Sequence, residues 1–374
     1  MVGGGPAGLA TAIGARLAGL EVTVLDRSRP EIDKACGEGL MPDAAAHLRA
    51  IGVELDPSES FPFRGIRYID GGDGGVGGIG GITAEGVFPG KGGLGVRRLA
   101  LHRALVRRAE EVGVRLAWGT LVKGLPPGPP YAGVMTDSGL IPARWIAGAD
   151  GLNSRMRRWA NLAGRPDPVR RFGVRRHFAM APWSDFVEVT WGPGCEAYVT
   201  PVDAGQVGIA LLWSGGPSDF DTLLAHFPDL RDRVAGAPVT SRDRGAGPLH
   251  QRVRGVVRGN LALVGDAAGY LDAITGEGLA VAFHEAAALV EAVRGGDLAP
   301  YAAAYRRINR LPNTLTALVL ALERRPRLRA RAIRALAAEP ALFSRLLGIH
   351  GRTLPARDLG LEGALRLAWR LVAA

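Results

Sequence analysis

The chain has 374 residues, 47% of them hydrophobic, enough for two domains or one large interleaved unit with a sizeable core. It has no apolar run of the roughly 18 residues that crossing a membrane requires, and its N-terminus lacks a charged stretch leading into an apolar signal core, so a cytoplasmic globular protein is the default. Two cysteines, Cys36 and Cys195, exclude a disulfide framework and a metal cluster, and the net charge of +10 belongs to residues 301–374, which hold 14 Arg against Glu323, Glu339, Asp358 and Glu362.

Pro6 to Leu17 reads as a helix, with Pro in its first turn and Gly19 past its end, and Glu21 to Asp26 follows as a buried strand. Residues 61–95 alternate short β-like runs, such as Ile66 to Ile69, with dense glycine, and read either as hairpins leaving a nucleotide-binding layer or as a flexible loop. Arg97 to Val112 carries Leu101, Leu105 and Ala109 on one helical face, with Gly113 as a stop and a strand at Val114 to Trp118. Residues 171–213 hold β-like segments, among them Phe186 to Trp191 and Val207 to Leu212, which predict an antiparallel sheet. Leu261 to Val264 is an apolar strand ending at Gly265-Asp266, and a helix follows from about Gly278 to Val293. Beyond Ala299 the pattern is helical, with breaks expected at Pro312, Pro326 and Pro340.

Chemistry concentrates at the punctuation between these elements. Gly3-x-Gly5-x-x-Gly8, with Pro6 and Ala7 inside it, stands before a helix, and Asp26, followed by Arg27, ends the next strand. Glycines allow a tight turn whose N–H groups approach a pyrophosphate at the helix's positive end, and Asp26 can accept from a ribose diol. That turn alone does not separate FAD from NAD. A second glycine–acid site, Val264 to Gly269, ends a strand, and Thr275-Gly276-Glu277-Gly278-Leu279 opens a helix.

Together with Gly148-Ala149-Asp150-Gly151-Leu152-Asn153-Ser154-Arg155-Met156-Arg157, these segments resemble the three ordered motifs of the flavoprotein monooxygenase and geranylgeranyl reductase superfamily, from residue 1 to about 295. The resemblance implies an α/β protein: a Rossmann-like FAD-binding domain (residues 1–60, 96–165 and 246–300), an interleaved antiparallel β-sheet substrate domain (61–95 and 166–245) and a basic helical C-terminal region (301–374). It implies that Asp266 holds the ribityl chain, that Gly276, Gly278 and Leu279 face the flavin pyrimidine, where a helix N-terminus favours negative charge, and that Arg98 reaches the cofactor. Asp150 and Arg157 either meet NAD(P)H, the implied electron donor, or only fix their turn. Cys36, in Lys34 to Leu40, resembles the site-lining cysteine of the reductases. Tyr198-Val199-Thr200-Pro201, followed by Gly208, resembles their substrate-domain strand that faces the flavin, which implies that Tyr198 lines the site, although Tyr198 stands where they tend to carry Trp and Thr200 where they tend to carry Phe.

The implied activity is FAD-dependent oxidoreduction. The first reading is a monooxygenase that hydroxylates or epoxidises an aromatic or lipophilic small molecule through a flavin C4a-hydroperoxide. The second is a geranylgeranyl-reductase-like reductase of carbon–carbon double bonds in a prenyl or other lipid, which Cys36 to Gly39 and Thr275 to Gly278 favour locally. A third, from another class, is a flavin-binding module without turnover that meets a membrane surface or carrier protein through Arg-rich helices such as Arg324 to Arg334, against which stands a plain solvated face. Nucleic-acid binding has no motif behind it, no partner reductase is specified, and His177 and His284 receive no role. Only Met1-Val2 precede Gly3, where a buried strand is expected, so the reading anticipates a natural start further upstream or a truncation.

Overall fold

The computed structural model describes residues 1–70 and 81–360. A glycine turn leads into α1 (Pro6–Leu17) and β1 (Thr23–Asp26). The short β2 (Gly39–Leu40) and α2 (Pro42–Ala50) precede β3 (Ser60–Phe63), β4 (Gly65–Asp70), β5 (Ile82–Val87) and β6 (Gly93–Val96). Next come α3 (Arg98–Glu111), β7 (Arg115–Trp118), β8 (Val122–Gly124), β9 (Gly133–Thr136), β10 (Gly139–Pro142), β11 (Ile146–Gly148) and α4 (Arg155–Trp159). Four long strands follow, β12 (Arg171–Ala179), β13 (Phe186–Gly192), β14 (Cys195–Asp203) and β15 (Gln206–Ser214), then α5 (Phe220–Leu224), α6 (Pro228–Val234), β16 (Arg244–Ala246), β17 (Val257–Arg258) and β18 (Leu261–Leu263). Helices α7 (Gly278–Arg294), α8 (Ala299–Glu323), α9 (Pro326–Ala338) and α10 (Pro340–His350) close the described chain.

The nucleotide layer is a parallel arrangement in which β1 pairs with β7 and β11 with β18. Val2 joins the two pairs, forming parallel bridges to Leu25 and Gly148, with its N–H donating to Ala147 at 2.8 Å and its carbonyl accepting from Ala149 at 2.7 Å. Met1 and Val2 thus lie between β1 and β11 and link them through backbone hydrogen bonds. Helices α1, α3 and α7 bury Leu9, Ile13, Leu101, Leu105, Phe283 and Leu289 against it.

The second layer is a seven-stranded sheet in the order β16-β12-β15-β14-β13-β4-β5. Its pairings are antiparallel except for β13 with β4, which run parallel, so the expected antiparallel sheet is a mixed one. Antiparallel neighbours need only a hairpin, whereas β4 and β13 are far apart in sequence and are joined by a crossover that carries much of the nucleotide layer. The alternation of the strands divides the sheet's two faces. Val174, Phe178, Cys195, Ala197, Val199, Ile209, Leu211 and Trp213 face outward and are covered by Phe220, Leu223 and Leu224 of α5 and by Phe227 just before α6. The opposite face carries Arg171, Arg175, His177, Glu196, Tyr198 and Thr200, and it turns toward the nucleotide layer.

The expected break at Pro312 does not occur. Helix α8 runs through it, and the Ile308 carbonyl that Pro312 cannot serve accepts instead from Nη2 of Arg352 at 2.7 Å. Pro326 and Pro340 do open new helices. Helices α9 and α10 lie on β4 and β5, with Ile333, Phe343 and Leu347 buried against Ile66, Ala84 and Trp191.

Candidate active site

The glycine turn is built by close approach. Gly3 has φ of +109°, and a Cβ there would lie 2.3 Å from the Ala149 carbonyl oxygen; one on Gly8 would lie 2.0 Å from that of Gly3. Gly5 differs, since the nearest atom to a Cβ there is Nη2 of Arg98 at 3.6 Å. The turn is therefore open on the side where α1 begins, and α1 begins with Pro6 at N1 and no side-chain cap. Asp26 braces the turn from outside: its Oδ2 accepts from the Gly4 N–H at 2.8 Å and its Oδ1 from the Ser28 N–H at 2.7 Å, while Arg27 beside it is exposed. His102, fully buried, meets the Gly4 carbonyl through Nε2 at 2.9 Å; burial lowers its pKa, so the neutral ring donates there. Four residues after Arg98 on α3, His102 had no motif to announce it.

The Asp-Gly and Gly-Asp segments meet through Arg157. Its Nη1 donates to the carbonyls of Asp266 and Ala267 at 3.1 Å each, and its Nη2 to Leu152 and to Gln251 Oε1, both at 2.7 Å. Asp150 is taken up by the start of α4, accepting from Ser154 Oγ at 2.5 Å and from the N–H groups of Arg155 and Met156 at 2.7 and 3.0 Å. Both residues thus hold their own turns in place.

Asp266 is spared such duties. Arg157 uses only its carbonyl, and its carboxylate has no hydrogen-bond partner among the described residues. Desolvation raises its pKa, while Arg98, Lys34 and Arg157 pull it back. Arg98 is 9% exposed, its N–H held by Glu38 Oε1 at 2.8 Å, yet its guanidinium Nε is buried without a partner. Arg97, just before α3, is half-buried and its Nε is likewise buried without a partner. An open glycine cradle, a free carboxylate and an unsatisfied guanidinium converge on one space, and they suit a dinucleotide that brings phosphates and hydroxyls. Behind them, Gly265 (φ +63°) donates to Glu285 at 2.7 Å, a carboxylate that burial pushes up to about 8.

Residues 1–192 match the FAD binding domain family. The chain belongs to that family. It is similar to a menaquinone reductase of Mycobacterium tuberculosis, at 29% identity over 80% of this chain and 77% of that protein. It is also similar to the aurachin C monooxygenase/isomerase of Stigmatella aurantiaca, at 26% identity over 77% and 78%. A flavoprotein/dehydrogenase from Cytophaga hutchinsonii shares the fold, with a TM-score of 0.79 and 17% identity over 96% of this chain and 93% of that one. The chain is an FAD-dependent oxidoreductase of the monooxygenase or reductase type.

The polar face of the large sheet closes over this FAD-binding layer. Thr200 Oγ1 donates to the Gly37 carbonyl at 2.9 Å, which draws the Cys36 loop onto the sheet. Next to it, His177 Nδ1 accepts from Arg175 at 2.9 Å, so Nε2 carries the proton and donates to Glu38 Oε2. Glu38 is 3% exposed and sits at φ +61°, a conformation costing a residue with a Cβ about 1 kcal/mol, which its ties to His177, Arg98 and the sheet offset. Gly208 leaves room for this pair, since a Cβ there would lie 3.2 Å from Glu38 Oε2 and press on it. Cys36 lies in this loop with Arg98 and Glu38 among its electrostatic neighbours, and burial pushes its thiol up. His177, which received no role from sequence, thus pairs with the Cys36 loop. The other candidate, His284, bridges Asp43 at 3.1 Å and His47 at 2.9 Å between α7 and α2.

The segment before α7 is held from three directions. Tyr198 donates its hydroxyl to the Ile274 carbonyl at 2.8 Å. Arg171 meets Glu196 at 2.8 Å and Asp272 at 2.9 Å, all three buried, and burial lifts Glu196 to about 7. From the C-terminal region, Thr316 meets Thr275 Oγ1 at 3.0 Å, and His350 reaches the Thr275 carbonyl and Glu277 Oε1, each at 3.0 Å. Gly276 (φ +71°), Gly278 and Leu279 follow, with no side-chain cap on α7. Sequence patterning located this segment but offered no sign of His350 or Thr316, whose helices are distant in the chain.

Proposed function

We propose that the chain reduces a carbon–carbon double bond of a lipophilic quinone-type or isoprenoid substrate, with NAD(P)H as electron donor. Bound FAD, once reduced, supplies the hydride equivalent. The backbone at Gly3, Gly5, Pro6, Ala7 and Gly8 would hold its pyrophosphate, Asp26 and Arg27 its adenosine end, Arg98 and Asp266 its ribityl and phosphate region, and Gly276, Gly278 and Leu279 its pyrimidine edge. Asp150 would contribute through the α4 turn. The observation that carries the reading is the Cys36 loop, which the sheet draws against this layer with its thiol kept protonated by burial. Alkene reduction consumes a proton as well as a hydride, so a buried protic wall serves it, whereas oxygen transfer asks chiefly for shielding. The 29% likeness to a menaquinone reductase supports the same chemistry.

Oxygenation of an aromatic or lipophilic small molecule is the second reading, favoured by the likeness to the aurachin C monooxygenase/isomerase. Product mass separates the two. Reduced enzyme incubated without oxygen with prenylated quinones should yield a product that stays two hydrogens heavier after its ring is reoxidised to the quinone; a product gained only in air and one oxygen heavier would overturn the first reading. Cys36→Ser should keep FAD and alter turnover, and unchanged turnover would reduce the thiol to packing. We also propose peripheral contact with an anionic membrane or a carrier protein through α8 and α9, where Leu318 is 56% and Leu328 37% exposed among Arg324, Arg325 and Arg327.

A further inference from the structure

We infer that Tyr270 is the proton donor to the substrate, a role resting on the reductase reading above. Tyr270 follows the Gly265-Asp266 segment directly, where no motif singles it out. Its backbone is fixed on both sides by Gln251, which donates to its carbonyl at 2.7 Å and accepts from its N–H at 3.0 Å. Gln251 is itself held by Arg157. The ring therefore projects from a rigid anchor tied to both nucleotide motifs. It lies against the start of α7, with its hydroxyl 3.6 Å from the position a Cβ would take on Gly278. Ile274, Leu212 and Leu249 form the apolar cluster on which the rings of Tyr270 and Tyr198 rest.

The two phenols differ in one respect. Tyr198 gives its proton to the Ile274 carbonyl, whereas the Tyr270 hydroxyl has no hydrogen-bond partner among the described residues although the residue is half-buried. Its electrostatic neighbours are Asp266, Asp272 and Cys36. Burial and these neighbours push its pKa well above the usual phenol value, so the group stays protonated and keeps a proton to give. The Cys36 sulfur accepts the Glu38 N–H at 3.4 Å and keeps its own proton. In the reduction, one alkene carbon takes the hydride equivalent from reduced FAD and the other takes the phenol's proton. The π bond is replaced by two C–H bonds, FAD is left oxidised, and the phenolate recovers its proton from solvent.

The test is Tyr270→Phe in the FAD-loaded enzyme, read in two ways. A phenol in contact with excited flavin quenches its fluorescence by electron transfer, so the variant's bound FAD should fluoresce severalfold more strongly at unchanged FAD affinity. Anaerobic reduction of a prenylated quinone by the pre-reduced variant should slow by about 100-fold or more, the scale of a lost general acid. Unchanged fluorescence and unchanged rate overturn the placement of Tyr270 whatever the reaction. A wild-type enzyme that reduces no alkene, with the fluorescence rise present in Tyr270→Phe, overturns the reductase reading and with it the proton-donor role, while a rise with an unchanged rate overturns the proton-donor role alone.

Discussion

The hydroxyl of Tyr198, on β14 of the large sheet, donates to the carbonyl of Ile274 in the segment that opens α7. One hydrogen bond thus connects the sheet to the backbone proposed to face the flavin. Tyr198→Phe keeps the ring and leaves a buried carbonyl unpaired, at a cost of about 1–3 kcal/mol. The expected outcome is a lowered Tm with FAD retained and a raised KM for substrate, checked by thermal unfolding and steady-state kinetics. A Tm equal to wild type would show that the bond holds nothing in place.

Two glycines of one turn should fail in different ways. Gly8→Ala brings a methyl to 2.0 Å from the Gly3 carbonyl and should destabilise the FAD-free protein itself. Gly5→Ala meets only Arg98 at 3.6 Å, so the FAD-free protein should unfold near the wild-type temperature while FAD affinity falls. Differential scanning calorimetry of apoprotein, paired with FAD titration, separates the two.

Asp266 and Asp150 make a similar contrast. Asp150→Asn weakens a helix cap made by both carboxylate oxygens and should cost about 1 kcal/mol of stability. Asp266→Asn removes no hydrogen bond among the described residues, so apoprotein stability should hold while FAD dissociates more readily. Equal losses of stability in both variants would refute this division.

Glu285 sets a pH dependence. Its pKa rises from 4.5 in the unfolded chain to about 8 in the fold, chiefly through burial, so the folded state binds the extra proton between those values. Its stabilising contribution is complete below pH 4.5 and is lost progressively as pH rises to about 8. Glu285→Gln cannot ionise, so Tm should fall less between pH 6 and 8 in the variant than in wild type; parallel slopes would contradict the assignment.

The Arg-rich helices offer a surface test. Sedimentation with anionic vesicles should decline as salt is raised and should be weakened by Leu318→Ser combined with Leu328→Ser. Binding that is absent at low salt would leave α8 and α9 as a solvated face.

What the sequence by itself determined is the local chemistry of the backbone: which glycines turn, which helix begins with an unpaired N-terminus, and which apolar runs alternate as strands. These follow from spacings of a few residues, and α1, α3 and α7 lie within a residue or so of where those spacings put them. Tertiary structure decided which polar side chains are spent and which are free. Asp150 and Asp266 look alike in sequence, yet one caps α4 and the carboxylate of the other has no hydrogen-bond partner among the described residues. Glu38 and His177, or Glu277 and His350, meet only because strands and helices far apart in the chain are packed face to face. Pro312 reads as a helix break until Arg352, 40 residues later, supplies the missing donor. A hydrogen bond depends on distances in space, and sequence spacing sets those only within a single element.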